Sequence, residues 1–216
     1  MIITPNPTIT MFLVNIGFKY VIDNSVKYNI DESHSLKHSM EVYNYAKKIY
    51  ESEIEKNKFL ENHKNIIYMA AIGHDMCDKK YLDEAEGIEN YKNYLSEYMD
   101  KEELEIIGQI IGKMSYSKVK VNGYPDLGIY QLAYHIVREA DLLTAYDIDR
   151  CIIYGMFKEK CDYTKALKRA INLFDSRVFK MREDKLFITH FSKEESNKLH
   201  KKAKRDIEIL KNIIIN

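Results

Sequence analysis

Helix breakers are scarce in this chain: three prolines and eight glycines in 216 residues, with Pro5 and Pro7 both spent at the N-terminus. Long helices are therefore the default reading, and there is no glycine-rich phosphate loop and no Gly-x-Ser-x-Gly elbow. The three cysteines, Cys77, Cys151 and Cys161, form no Cys-x-x-Cys pair and no even-numbered framework. That argues against a disulfide scaffold and a cysteine-rich zinc site, and it fits reduced thiols in a cytoplasmic setting. An excess of either charge is also lacking. Lys and Arg total 33, as do Asp and Glu, so no global field favours bulk nucleic-acid binding or an anionic membrane. The apolar stretch from Ile9 to Phe18 is short, is interrupted by Asn15 and has no basic leader. It reads as a core helix rather than a signal peptide or a membrane span.

What is present is the composition of an ordinary globular protein, 45% hydrophobic and 31% charged, long enough for one domain over residues 1–216 with a substantial core. Apolar periodicity predicts helices over about 8–28, from a cap at Asp31-Glu32-Ser33 to about 55, and over 64–78, 83–98, 101–114, 129–145, 147–160 and 163–181. A last helix is expected over about 193–215, opened by Ser192 with Glu195 three residues on, as in a capping box. The run Ile66 to Gly73 is apolar on every side and should sit in the middle of the molecule. Strand signals are limited to Val119–Val121 and Leu186–Ile188, and Ser115 to Gly128 reads as irregular. The fold class expected is all-α, a single-domain helical bundle.

Chemistry concentrates at His38, His74-Asp75 and Asp141. His38 shares one helical face with Val42, Ala46 and Ile49, His74-Asp75 closes the all-apolar helix, and Asp141 stands between Ile136-Val137 and Leu142-Leu143. An ionised Asp beside a buried helix face is costly unless something positive meets it. One divalent ion would satisfy all four groups, and mixed nitrogen and carboxylate ligands suit Mn²⁺, Fe²⁺, Co²⁺, Ni²⁺ or Zn²⁺, with Mg²⁺ also admissible. A His on an apolar face is, taken singly, more often a hydrogen-bonded core residue than a ligand; three core-directed helices each offering a donor change that balance.

This order of residues, with His38 opening a His-x-x-x-Val pattern that ends at Val42, resembles the HD superfamily of metal-dependent phosphohydrolases, over roughly residues 30–150 with the C-terminal helices packing on that core. The resemblance implies an all-α bundle of the HD-domain type, with His38, His74, Asp75 and Asp141 as metal ligands. It also implies a water-handling role for Asp78, four residues after His74, because HD hydrolases acting on guanosine tetraphosphate place an acid there. Several members of that superfamily build a second metal site from extra histidines. Here Gly112 to Tyr116 contains none and only His135 lies in the interval, so one metal ion is expected and a di-iron oxygenase is disfavoured.

Around these ligands, Lys79 is a candidate phosphate contact in the catalytic set, with Lys80 beside it. His34, one turn before His38, Arg138, three residues before Asp141, and Tyr116 and Lys118 in the 115–118 segment are candidate substrate contacts. Each has a plainer reading as a surface or ion-paired residue. The function expected is hydrolysis of a phosphomonoester or pyrophosphate bond in a small phosphorylated metabolite, a nucleotide by preference. The alternative is a metal- or nucleotide-binding sensor or partner-binding module without turnover. A membrane partner is not expected, and a homodimer is left open.

Overall fold

In a computed structural model, residues 7–215 are described, with side chains from Thr10 to Asn212; the Pro5-Asn6 part of the expected helix start lies outside them. The fold is all-α. Ten α-helices run in chain order: α1 (Pro7–Lys27), α2 (Leu36–Ile54), α3 (Lys64–Gly73), α4 (Glu84–Leu95), α5 (Lys101–Lys113), α6 (Tyr116–Asn122), α7 (Gln131–Thr144), α8 (Ile148–Phe157), α9 (Tyr163–Ser176) and α10 (His190–Ile215). No strand occurs among the described residues. The β-branched pieces that hinted at strands go elsewhere: Val119–Val121 lies inside α6, and Leu186–Ile188 forms the link into α10. The stretch expected to be irregular therefore holds a short helix, opened by the Ser115 hydroxyl, which accepts from the Lys118 amide.

Every residue from Ile66 to Gly73 is buried, and α3 packs against α1, α2, α5 and α7. That placement is what an all-apolar helix demands, because any face left in water would forfeit about 25 cal/mol per Å². On α2, the expected face of His38, Val42, Ala46 and Ile49 is buried, and it lies against α7 and α3. The three ligand-bearing segments are thus neighbours through their apolar faces before any polar contact is considered.

Local chemistry sets several helix ends differently from the sequence expectation. Asp31 does not cap α2; its carboxylate accepts from the Ser33 amide and hydroxyl and from the Tyr81 hydroxyl. Helix α10 begins at His190, three residues early, where the Ser192 amide donates to Thr189 Oγ1. Ser192 is therefore inside the helix and fully buried, and it caps nothing through Glu195. Helix α3 stops at Gly73 and tightens into a 3₁₀ turn over His74–Cys77, after which Asp78 is extended.

Gly73 makes that tightening compatible with the core. A Cβ there would stand 2.2 Å from the Tyr91 ring, and Tyr91 is fully buried with its hydroxyl donating to the Met69 carbonyl. A Gly73→Ala chain is expected to lose about 1–3 kcal/mol by overpacking, read as a lower urea midpoint at unchanged slope. Pairing it with Tyr91→Leu should recover part of the loss; a neutral Gly73→Ala would refute the contact.

Candidate metal centre

His38 comes from α2, His74 and Asp75 from the 3₁₀ turn after α3, and Asp141 from α7. Donor atoms of His38, His74 and Asp141 all lie within 4.8 Å of one another. The two Nε2 atoms are 3.1 Å apart. Asp141 Oδ1 lies 3.5 Å from His38 Nε2 and 3.6 Å from His74 Nε2. The Asp75 carboxylate abuts both rings, Oδ2 at 2.9 Å from His38 Nε2 and Oδ1 at 3.3 Å from His74 Nε2. Neighbouring ligands held at about 2.1 Å from one octahedral ion stand roughly 3 Å apart, so these separations are compatible with a shared ion.

The donor chemistry agrees with that geometry. His74 Nδ1 lies 2.9 Å from the Ala71 carbonyl oxygen and donates to it, so that Nε2, once its own proton is displaced, would turn a lone pair to the cluster. Asp75 Oδ2 is buried and accepts no hydrogen bond, although His38 Nε2 is next to it. The buried Asp75 and half-buried Asp141 carboxylates, facing two imidazole nitrogens, favour positive charge in their midst. Burial opposes a proton on His74, yet the Asp75 and Asp141 carboxylates hold its pKa up at about 9. Burial and then the Arg150 guanidinium push His38 down to about 3. Against the pull of burial, the histidines keep the Asp75 and Asp141 carboxyls well below the usual range. His38, His74 and Asp141 could hold a metal ion, and the Asp75 oxygen beside His38 lacks a hydrogen-bond donor.

His74, Asp75 and Asp141 line one side of a cavity of about 370 Å³, and His38 does not reach its surface. Of the expected contacts, His34, Asp78, Lys79, Tyr116 and Lys118 all line it. His34 is held by a chain in which Lys80 Nζ donates to its Nε2 at 2.9 Å, while its Nδ1 lies 2.6 Å from Ser33 Oγ. Asp78 is not one turn onward from His74 on a continuous helix. The helix has ended, and the carboxylate accepts from the Lys80 amide and pairs with Lys80 Nζ at 3.0 Å. The ammonium aimed at His34 is thus that of Lys80, while Lys79 is exposed on the rim. Lys118 lines the wall with its ammonium engaged by Glu84 and the Gly112 carbonyl.

Arg138 is the exception, because it does not line the cavity. It is 2% exposed, stacks on Tyr124, and donates to Glu139 and the Leu186 carbonyl. Spacing of three from Asp141 placed it on the right stretch of α7 but not on the face that opens to the cavity. His135 also does not line the cavity and is packed between Tyr124 and Tyr134.

Three arginines stand where Arg138 was expected. Arg150, Arg169 and Arg177 line the cavity from α8, α9 and the residue after α9. Arg150 reaches across to the Ser33 carbonyl and Thr144 hydroxyl, with one amino group 4.0 Å from Asp75. Nothing in their local sequence distinguishes these arginines from surface cations; the signal lies in α8 and α9 folding back over the site.

Searches against protein-family models, curated proteins and solved structures each return no match for this chain.

Proposed function

We propose that this chain is a metal-dependent phosphohydrolase acting on a small phosphorylated metabolite, a nucleotide by preference. The observation that carries the reading is the grouping of His38, His74 and Asp141, with Asp75 against both rings, beside a cavity that His74, Asp75 and Asp141 line together with six basic side chains. The resemblance of the same four residues to the HD superfamily motif supports it. When bound, a divalent ion supplies Lewis-acid polarisation of a phosphoryl oxygen and a water of lowered pKa.

The protein side chains would do the rest. Asp78, on the cavity wall, would orient the attacking water or take its proton, with Lys80 holding that carboxylate in place. Lys79 and the Lys80 ammonium would offset charge on phosphate oxygens. His34, fixed between Ser33 and Lys80, would hold the Lys80 ammonium in place at the cavity wall without touching the ion. The long reach of Arg150 would keep Asp75 oriented toward the two histidines.

A phosphate-release screen across nucleotides and sugar phosphates tests this. Turnover that a chelator abolishes and Mn²⁺ restores is the expected result. Tight nucleotide binding with no product over hours would instead make the chain a non-catalytic sensor. Among the described residues no helix is long and apolar enough to cross a membrane, so the screen is set up with dissolved substrates.

A further inference from the structure

Six basic and five acidic side chains line the cavity. Most of the cations are accounted for by partners in the protein. Lys80 pairs with Asp78, Lys118 with Glu84, Arg169 with Glu159 at 2.7 Å, and Arg150 is tied to Ser33 and Thr144. Arg177 is different. Its guanidinium stacks on the Tyr116 ring, 4.2 Å from the centroid, and its Nε is buried with no acceptor. Among the described residues no carboxylate or carbonyl receives a hydrogen bond from its side chain.

A planar cation pre-positioned by an aromatic face, with its donors unspent, is an arrangement that recognises phosphate by paired hydrogen bonds. Leaving the Nε donor buried and unpaired is costly, so a ligand that supplies the acceptor gains what the protein forgoes. The charge balance points the same way. The lining carries one more positive than negative side chain, and a divalent ion at the cluster would add two further charges. A phosphomonoester dianion would leave that wall under-neutralised, whereas two or more phosphates would match it.

We propose that Arg177, stacked on Tyr116, receives a second phosphate group of the substrate, so that the ligand is a compound bearing at least two phosphates. The inference rests on the cavity being the phosphate-ester site argued above. It assigns the metal cluster to the scissile phosphate and the α9 end of the cavity to the non-reacting one. Arg169, which lies over Tyr154 but keeps its carboxylate partner, is the built-in comparison.

The test uses the Mn²⁺-loaded full chain and two ligands that cannot be hydrolysed, methylphosphonate and methylenediphosphonate, titrated calorimetrically. The expected result is a preference of about ten-fold or more for the diphosphonate. Arg177→Met should bring that preference close to unity with little change for the monophosphonate. Arg177→Lys, which keeps the charge but not the fork, should fall between. Arg169→Met, the same charge change on the same wall, should retain most of the preference. No preference in the unaltered protein, a preference that survives Arg177→Met, or an equal loss in Arg169→Met would each overturn the proposal. Its failure is separable from that of the hydrolase reading. An Arg177-dependent preference without turnover on any substrate leaves this site standing and removes catalysis. Metal-dependent turnover indifferent to Arg177 does the reverse.

Discussion

An Asp75→Ala protein is expected to lose both its metal ion and its turnover while remaining folded. The carboxylate approaches both imidazoles more closely than Asp141 does, at 2.9 Å and 3.3 Å against 3.5 Å and 3.6 Å, and one of its oxygens has no hydrogen-bond donor. Removing it would take away a proposed ligand and leave Asp141, at 3.5 Å and 3.6 Å, as the remaining carboxylate against His38 and His74. Loss of an outer partner of a ligand costs metal affinity about 10–100-fold, and loss of the ligand itself should exceed that. Metal content per chain after desalting and phosphate release on the best substrate give the readout. Asp75→Asn, which keeps the shape but not the charge, should also fail to retain metal. The protein should still fold, because the surrounding core of α3 and α2 is independent of the carboxylate. Full activity in Asp75→Ala would end the phosphohydrolase reading.

Periodicity in the sequence was enough for the helices and for the buried faces of α2 and α3, because apolar residues at three- and four-residue spacing have few other places to go. The grouping of His38, His74 and Asp141, which could hold a metal ion, was legible for the same reason: each sits at the end or on the face of a segment that must be interior. Less legible was anything decided by contacts distant in the chain. Asp78 looked like a continuation of α3, but the fit of Gly73 against Tyr91 accompanies a tighter turn that ends the helix regularity. Arg138 and Asp141 share a stretch of α7, yet the link before α10 folds against Arg138 through the Leu186 carbonyl. Arg177 could not be picked out among many cations, since its significance is the acceptor it lacks.

The link that captured Arg138 also sets up the largest stability effect in the molecule. Glu139 is 0% exposed and accepts from the Ile188 amide at 2.7 Å, the Thr189 amide at 3.1 Å and the Thr189 hydroxyl at 2.7 Å, with Arg138 at 3.3 Å. One carboxylate therefore ties α7 to the start of α10. A buried anion is tolerable here because donors surround it. Glu139→Ala would strip those donors of their acceptor and leave the Arg138 guanidinium buried beside a void. Breaking a buried pair from one side typically costs about 3–5 kcal/mol, and this one also orphans two backbone amides. Arg138→Met should be much milder, since Glu139 keeps its three other donors and the methionine can fill the space against Tyr124. Urea denaturation of the two variants measures the asymmetry. Because Asp141 is two residues further along α7, Glu139→Ala should also weaken metal retention in whatever fraction stays folded, whereas Arg138→Met should leave it intact. Equal destabilisation by both variants would mean that the α7–α10 link is held by packing and not by this carboxylate.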